Sequence, residues 1–276
     1  LAGNIGNSPL NLSLKNGDYL VLELSSWQLH DLVYPRFPVA VISNIFPDHL
    51  NYYRNMKEYV RDKEIVFSGQ HEEDILVLDP KNLFTKRMAK KAKVRVFWFT
   101  RKRFFSHLLG VHNEKNIGAA FLVARSLGIS EKTIRKAVKN FQGLPHRLQF
   151  VRNIRGVCFY DDSASTSPDA AIAALKSFKK KVILISGGNT KNYPLEPLNR
   201  EIKKRAKYLI LFPGNANPEL PSGKNVSSIG KVVEEAWRVS KRGDIVLFSP
   251  GLTWLPVIDE FRRGDEFQRC VKKIVS

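Results

Sequence analysis

The sequence predicts an α/β protein built on mostly parallel sheets. Short runs of β-branched and aromatic residues alternate with segments of helical periodicity along the chain, an order typical of such sheets. The 276 residues exceed one average domain. A hydrophobic fraction of 43%, with 26% charged residues, is enough to bury a substantial core. We therefore expect two α/β domains.

The first half of the chain contains four predicted strands followed by two predicted helices. The strands are residues 19–25, 39–46, 75–79 and 94–100, and the helices are residues 113–127 and 130–141. Gly128 ends the first of these helices, and Ser130 is a good N-cap for the second. A further helical stretch lies at residues 57–67.

A second α/β series begins after Gly143-Leu144-Pro145, which interrupts the pattern. Its elements are strand 156–161, helix 168–178, strands 182–186 and 207–212, helix 229–241, strand 244–249 and helix 258–274. Ser167-Pro168-Asp169 is a favourable helix start, with a serine cap, proline at the first position and an acid near the positive end of the dipole. We place the domain boundary near residue 143.

Charge and composition exclude several classes of protein. The net charge of +19 is spread over the chain in short basic runs, without the interleaved aromatics of a single-strand binder, so we expect no nucleic-acid function. No apolar run approaches the ~20 residues needed to span a bilayer, and the first residues do not resemble a signal peptide. Cys158 and Cys270 are too few for a disulfide scaffold or a thiolate zinc site. We expect a cytoplasmic protein without membrane insertion.

The sequence contains neither G-x-x-x-x-G-K-[ST] nor G-x-G-x-x-G, the glycine-rich loops that bind phosphates. Polar residues instead follow the predicted strands, at the edge where open α/β sheets bind ligands. Glu23 ends the first strand and suits a Mg²⁺ ion, with a capping or turn role as the alternative. His49 follows the second strand and is a candidate metal ligand or a loop histidine held by Asp48. Lys63, taken alone, fits a surface salt bridge with a neighbouring acid.

Three further motifs carry candidate ligand-binding residues. Asn113 and Asn116 are three residues apart at a helix start, so both amides can face one ligand, although Asn113 is also a candidate helix cap. Arg147 and Asp162 lie near the domain junction and fit either a nucleotide clamp or an interdomain ion pair. The 187–191 turn offers bare glycine amides and a lysine to an anion, or is a plain tight turn.

In this order the motifs resemble those of the Mur ligases of peptidoglycan synthesis over almost the whole chain. The matching stretches are GNIG (3–6), ELSSWQL (23–29), SNIFPDHL (43–50), Lys63 in its helix, HNEKN (112–116), LPHR (144–147), DDSAST (161–166), GGNTK (187–191), SP (249–250) and RRGDEF (262–267). The stretches ELSSWQL and RRGDEF favour the branch of the family that adds D-glutamate.

The resemblance implies the remainder of a P-loop-type central ATPase domain at 1–143 and a Rossmann-like C-terminal domain at 144–276. It implies that a UDP-binding domain and the phosphate loop lie before residue 1, so that this chain by itself is an inactive fragment. It also implies ATP-dependent ligation: ATP phosphorylates the carboxylate of UDP-N-acetylmuramoyl-L-alanine, and the amine of D-glutamate attacks the acyl phosphate. A monomer is expected.

The resemblance also implies roles for individual residues. Glu23 and His49 correspond to ligands of two Mg²⁺ ions, and Lys63 corresponds to a lysine that CO₂ carbamylates into an anionic group supporting the metal. The positions that match ATP contacts are Asn113, Asn116, Arg147 and Asp162. The positions that match substrate contacts are Asn4 for the muramoyl substrate and Thr166 and Lys191 for D-glutamate.

Two stretches depart from the family pattern. Ala164 stands where the family commonly has a lysine, and residues 249–254 read SPGLTW where the family usually has S-P-A-x-A-S. Thr253 or Trp254 then replaces the serine that contacts D-glutamate. The alternatives to a D-glutamate ligase are a sister ligase with altered amino-acid specificity and a non-catalytic nucleotide-binding module.

Overall fold

The computed structural model describes residues 1–4, 7–48, 52–190, 194–253 and 259–275. The chain forms two compact units, one of Leu1–Thr100 with Gly118–Leu127 and one of Arg101–Ile117 with Gly128–Ser276. Both contain helices around parallel strands, so the predicted α/β class is confirmed. The domain boundary near residue 143 stays a prediction.

The first unit contains five short strands among its described residues. They are β1 (Ala2–Gly3), β2 (Leu22–Glu23), β3 (Val39–Ile42), β4 (Ile75–Leu78) and β5 (Arg95–Trp98). The helices are α1 (Ser26–His30), α2 (Met56–Ser68), α3 (Leu83–Lys91) and α4 (Val111–Ser126), the last of which contributes residues to both units, and a 3₁₀ turn lies at Pro9–Asn11.

Strands β3, β4 and β5 form a parallel sheet with β4 in the centre. Successive side chains of a strand point to opposite faces. Accordingly, Leu76 and Leu78 join one apolar cluster and Val77 joins another, and all three are fully buried. Both faces of this sheet are therefore covered, as is typical of parallel sheets.

The first predicted strand is much shorter than expected. The apolar character of residues 19–25 predicts one strand, but only Leu22–Glu23 forms a ladder, which pairs in parallel with β1. The side chains of Tyr19 and Val21 are 66% and 60% exposed, so their apolar character does not reflect burial in a sheet.

The second unit holds the larger sheet. Its further elements are α5 (Glu131–Asn140), β6 (Gln149–Ile154), β7 (Val157–Asp161), α6 (Pro168–Lys176), β8 (Val182–Ser186), α7 (Glu196–Arg205), β9 (Ala206–Leu211), a 3₁₀ turn (Asn217–Glu219), β10 (Lys224–Asn225), α8 (Ile229–Val239), β11 (Ile245–Phe248) and α9 (Glu260–Lys273). Among the described residues, six strands pair in the order β10-β9-β8-β11-β7-β6.

The sheet is parallel except for β6, which runs antiparallel to β7 at one edge. All five residues of β8 are fully buried. Val182 and Leu184 pack into one apolar cluster, and Ile183 and Ile185 pack into another. The carboxyl ends of β7, β8 and β11 then deliver Asp161, Ser186 and the residues after Phe248 to the same edge of the sheet.

Several local predictions are confirmed or corrected. Ser130 caps α5, and its Oγ accepts from the Thr133 N–H at 3.2 Å. Helix α6 begins at Pro168 as predicted, but the Ser167 side chain makes no capping hydrogen bond. Helices α3 and α7 are absent from the elements predicted from the sequence, although each buries two side chains.

Candidate functional site

A cavity of about 390 Å³ opens in the second unit and brings together four of the predicted ligand-binding residues. These four are Asn113, Asn116, Arg147 and Asp162. The apolar part of the wall consists of Leu108, Phe141, Leu144, Leu148, Ala170, Ala173 and Ala174. An apolar cavity with a few convergent polar groups is the usual form of a small-molecule site.

The two asparagines lie in the first turns of α4 and share one face of the helix. Asn116 Nδ2 donates to Asn113 Oδ1 at 3.1 Å, and Asn113 Nδ2 donates to the Leu109 carbonyl at 2.8 Å. The capping alternative for Asn113 is wrong, because α4 begins at Val111 and this side chain bonds a carbonyl rather than a first-turn N–H. The pair is thus held at the cavity wall.

Asp162, just after β7, is almost fully buried. Its Oδ1 accepts from the Leu148 N–H at 3.0 Å, and its Oδ2 accepts from the hydroxyls of Ser165 and Ser249. A carboxylate offers about four acceptor positions. The three donors that the described residues place on Asp162 therefore leave room for one more. Burial raises the pKa of Asp162 to about 6 despite these hydrogen bonds.

Arg147 brings a positive charge to the same wall. It lies between two residues with left-handed backbone, His146 (φ 60°) and Leu148 (φ 47°). Its Nη1 donates to the Ala164 carbonyl at 2.8 Å. A guanidinium has five N–H donors in a fixed fork, so this contact leaves most of the fork to meet an anion.

The wall also contains two polar residues that are not predicted from the sequence, His112 and Ser165. His112 lies in the HNEKN motif next to Asn113, and Ser165 lies in the DDSAST motif three residues after Asp162. This closeness in sequence to predicted site residues is the signal that could have identified them. Burial lowers the pKa of His112, so its imidazole is neutral near pH 7. A neutral imidazole and a hydroxyl can each donate and accept, which suits them to a polar ligand edge.

In the first unit, Asn4 and Glu23 meet at the end of β2. Asn4 Nδ2 donates to Glu23 Oε1 at 3.4 Å, and the Asn4 N–H donates to the Glu23 carbonyl at 2.8 Å. Gly3 has φ +99°, and a Cβ there would lie 2.2 Å from the Glu23 carbonyl oxygen. Only glycine allows this close approach of the two strands.

The capping alternative for Glu23 is wrong. The N-cap of α1 is Ser25, which forms a capping box: its Oγ accepts from the Gln28 N–H, and Gln28 Oε1 accepts from the Ser25 N–H. The exposed carboxylate of Glu23 keeps acceptor capacity beyond its contact with Asn4.

Lys63 lies on α2, and its Nζ donates to the Leu24 carbonyl at 3.3 Å. The expected salt bridges with its sequence neighbours are wrong, because Asp62 faces a histidine at 3.3 Å and Glu64 binds a lysine of α3 at 2.7 Å. Lys63 is partly buried instead of extended into solvent.

The electrostatic surroundings of Lys63 are acidic. Burial lowers the pKa of Lys63, while the charges of Glu23 and Asp48 oppose that change. An amine with a lowered pKa therefore lies near two carboxylates. His49, the other predicted metal ligand, lies outside the described residues. Among the residues that the structure does describe, no three His, Cys, Asp or Glu side chains gather as a metal site.

The predicted D-glutamate residues lie on loops after the carboxyl ends of strands. Thr166 lies between β7 and α6, and Thr253 follows β11. The Thr253 carbonyl accepts from the Asn189 N–H at 2.6 Å, which joins the loops after β11 and β8. Lys191 and Trp254 lie outside the described residues.

In the glycine turn after β8, three backbone amides already have acceptors, while the anion role of this turn stays a prediction. The Gly187 N–H donates to the Pro250 carbonyl, and the amides of Asn189 and Thr190 donate to oxygens of neighbouring loops. Gly187 and Gly188 have φ of 120° and 131°. The turn thus closes on its neighbours, which supports the tight-turn alternative.

Within the described ranges, no helix has both the length and the apolar character to cross a bilayer.

Comparisons with known proteins agree over nearly the whole chain. The family model of the Mur ligase middle domain matches residues 7–104, and that of the Mur ligase, glutamate ligase domain matches residues 146–252. The UDP-N-acetylmuramoylalanine–D-glutamate ligase of Clostridium perfringens is 34% identical over 312 residues, covering 99% of this chain and 68% of that protein. The ligase of the same name from Acetivibrio thermocellus is 35% identical over 321 residues, with the same coverage.

Solved structures show the same fold. The MurF ligase of Thermotoga maritima in complex with ADP superposes with a TM-score of 0.72 at 18% identity, covering 92% of this chain and 68% of that one. The UDP-N-acetylmuramate-alanine ligase MurC of the same organism gives 0.62 at 15% identity, with coverage of 91% and 64%.

Proposed function

Because the chain belongs to the Mur ligase family, we propose that it acts in the ATP-dependent addition of D-glutamate to UDP-N-acetylmuramoyl-L-alanine, a step of peptidoglycan precursor synthesis. The observation that carries this proposal is the cavity of the second unit, whose wall holds four residues predicted to contact ATP. The relatives named as D-glutamate ligases, of whose length the match covers 68%, support the choice of amino acid.

The cavity suits an adenine nucleotide. Its apolar wall takes the base, and the amides of Asn113 and Asn116 hydrogen-bond the polar edge of the base. The remaining acceptor position of Asp162 takes a ribose hydroxyl. The guanidinium of Arg147 binds phosphate oxygens, for which its planar fork is well shaped.

The residues around Glu23 fit a magnesium site. Mg²⁺ prefers oxygen ligands, and Glu23 offers an exposed carboxylate whose charge, like that of Asp48, acts on Lys63. We assign two Mg²⁺ ions to Glu23 and His49, with carbamylated Lys63 as the supporting anion. Bound Mg²⁺ supplies neutralisation of the charge that develops on phosphoryl oxygens. Asn4, hydrogen-bonded to Glu23, is assigned to the muramoyl substrate.

Lys63 is expected to react with CO₂. The Lys63 ammonium first loses a proton. The lone pair of the neutral amine then attacks the carbon of CO₂ and a second proton leaves to solvent, so a cation becomes a carbamate anion. The lowered pKa of Lys63 favours this reaction, since only the neutral amine is nucleophilic. Carbon NMR of protein equilibrated with isotope-labelled bicarbonate should show one carbamate signal that Lys63→Arg removes. The control Lys91→Arg, at a mostly exposed lysine, should keep the signal; persistence of the signal in Lys63→Arg would refute the assignment.

Thr166, Lys191 and Thr253 are assigned to D-glutamate. Losing one hydrogen bond to a charged carboxylate costs roughly 1.5–3 kcal/mol, or about 10- to 150-fold in binding. In an active protein, restored by the fusion described in the next paragraph, Thr253→Val is therefore expected to raise the KM for D-glutamate at least about tenfold and to leave the KM for ATP unchanged. Steady-state kinetics with each substrate varied in turn measures both values, and an unchanged KM for D-glutamate would remove Thr253 from the site.

Amide formation tests the proposed function. The 276-residue chain contains no phosphate-loop motif, so alone it is expected to release no phosphate from ATP. When it is fused to the part of the Clostridium perfringens relative that the match does not cover, the fusion should join labelled D-glutamate to the UDP-linked substrate. Transfer of a different amino acid would indicate a sister ligase. Nucleotide binding without any amide product would indicate a binding module.

The UDP-linked substrate and ATP support action in the cytoplasm, and we assign the active state to a monomer. Sedimentation velocity of the purified chain tests the second statement, because a dimer at micromolar concentration would contradict it.

A further inference from the structure

We propose that His146 is a positioning residue of the nucleotide cavity, which holds the turn carrying Arg147 in place through Asp161 without touching the ligand. The identity of the ligand rests on the proposed function. The cavity wall includes Arg147 and Leu148 of this turn but not His146.

The turn at residues 146–148 has a backbone conformation that residues other than glycine rarely adopt. His146 and Leu148 have φ of 60° and 47°, in the left-handed region. Such a conformation persists only where the surroundings hold it. Arg147 lies between these two residues, so the direction of its guanidinium depends on what holds them.

Two consecutive carboxylates at the end of β7 hold the two sides of the turn. Asp162 Oδ1 accepts from the Leu148 N–H at 3.0 Å, and Asp161 Oδ2 lies 2.7 Å from His146 Nδ1. Since a carboxylate in this setting is an acceptor, Nδ1 carries the proton and donates it. The Ala164 N–H donates to the His146 carbonyl at 3.1 Å, which adds a backbone contact to the same turn.

Helix α9 closes over the imidazole. Gln268 Nε2 donates to Asp161 Oδ2 at 2.7 Å, and Asp265 Oδ1 lies 3.5 Å from His146 Nε2. A Cβ at Gly264 would lie 2.2 Å from His146 Nδ1, so glycine is needed where the helix passes the ring. His146 is 5% exposed. The imidazole is therefore enclosed by acceptors, a helix and a strand end, and has no open face for a substrate.

This geometry separates the two acids of the DDSAST motif. Asp162 lies on the cavity wall, whereas Asp161 is not part of that wall and instead bonds the imidazole of His146. The hydrogen bond that His146 donates to Asp161 raises the pKa of His146 above its ordinary value, burial opposes that change, and the charges of Asp161 and Asp265 support it. The imidazole thus stays tied to Asp161 in both of its protonation states, since Nδ1 remains a donor.

Two amide variants of His146 test the proposal, because asparagine places its N–H₂ near the position of Nδ1 and glutamine places it near Nε2. Asparagine also tolerates left-handed backbone. His146→Asn is expected to bind ADP within about threefold of the wild type, and His146→Gln to bind at least about tenfold more weakly. Calorimetric titration of the 276-residue chain with ADP measures both constants.

A matched control separates positioning from a general loss of stability. Val271→Ala removes buried methyl groups from α9 and touches no residue of the turn. It is expected to lower the melting temperature and to leave ADP affinity unchanged where the fold is intact. Equal ADP affinity in His146→Asn and His146→Gln would overturn the proposal. So would an equal loss of ADP affinity in His146→Gln and in Val271→Ala, if the two variants have the same melting temperature.

Failure of the proposed function has a different signature. If the wild-type chain binds no adenine nucleotide, the ligand assignment of the cavity is wrong. Hydrogen exchange of the Leu148 N–H, which donates to Asp162 Oδ1, then decides the positioning claim, because this amide should lose protection in His146→Gln and keep it in His146→Asn. Equal protection of the Leu148 N–H in the two variants would refute the claim by itself.

Discussion

Replacing Asp162 by asparagine is expected to weaken ADP binding about 10- to 30-fold at pH 8, because an anionic acceptor is lost from the cavity wall. Wild-type affinity should also fall as the pH drops through about 6, where the carboxylate takes up a proton. The Asn variant has no such group and should lack this fall. Titrations of both proteins across this range measure it, and the ratio of their dissociation constants cancels the titration of ADP itself.

The same substitution has an effect on stability whose sign follows from the raised pKa. The folded chain holds the proton of Asp162 up to about pH 6, whereas the unfolded carboxyl ionises near 3.8. The free energy of unfolding therefore falls as the pH rises from 4 to 6, by at most about 3 kcal/mol from this group. Asp162→Asn should remove that part of the pH dependence.

Asp169→Asn, at an acid outside the cavity wall, is the control for ADP binding. If the ratio of the ADP affinities of the wild type and Asp162→Asn did not change with pH, the assignment of Asp162 would be contradicted.

The second large effect is expected at Arg263, which is fully buried on α9. Its Nη2 donates to the Ser163 carbonyl at 2.7 Å and to the Leu252 carbonyl at 3.1 Å, so it joins the loops after β7 and β11. Burial lowers the pKa of Arg263 to about 10, which still leaves it charged at pH 7. Methionine fills a similar volume but leaves both buried carbonyls without this donor.

Arg263→Met is expected to lower the free energy of unfolding by about 3 kcal/mol, since each buried acceptor left unpaired costs about 1–3 kcal/mol. Urea unfolding followed by circular dichroism measures the change. The neighbouring Arg262→Met is the matched control, because the Arg262 side chain is 80% exposed and its pair with Asp259 is at the surface. A loss at Arg263 no larger than that of the control would show that the buried guanidinium does not hold the two loops.

The clustering of the four residues assigned to the nucleotide, Asn113, Asn116, Arg147 and Asp162, could be predicted only in part. The sequence placed Asn113 and Asn116 on one helix face, since a spacing of three residues is a local property of a helix. Resemblance grouped them with Arg147 and Asp162, which follow some thirty or more positions later. Their approach around one cavity depends on how α4, the 146–148 turn and the end of β7 pack, and no local pattern contains that information.

The α/β class, most strands and helices, the cap at Ser130 and the family could be predicted from the sequence, because hydrophobic periodicity, capping residues and ordered motifs lie in short stretches of chain. Three features appear only in the folded chain: Asp161 bonds the His146 imidazole, Lys63 donates to the Leu24 carbonyl instead of to its neighbours, and the Gly187, Asn189 and Thr190 amides after β8 already have acceptors. The physical reason is common to all three. A polar group takes the partner that burial leaves nearest to it, and in a folded chain that partner comes from a distant segment.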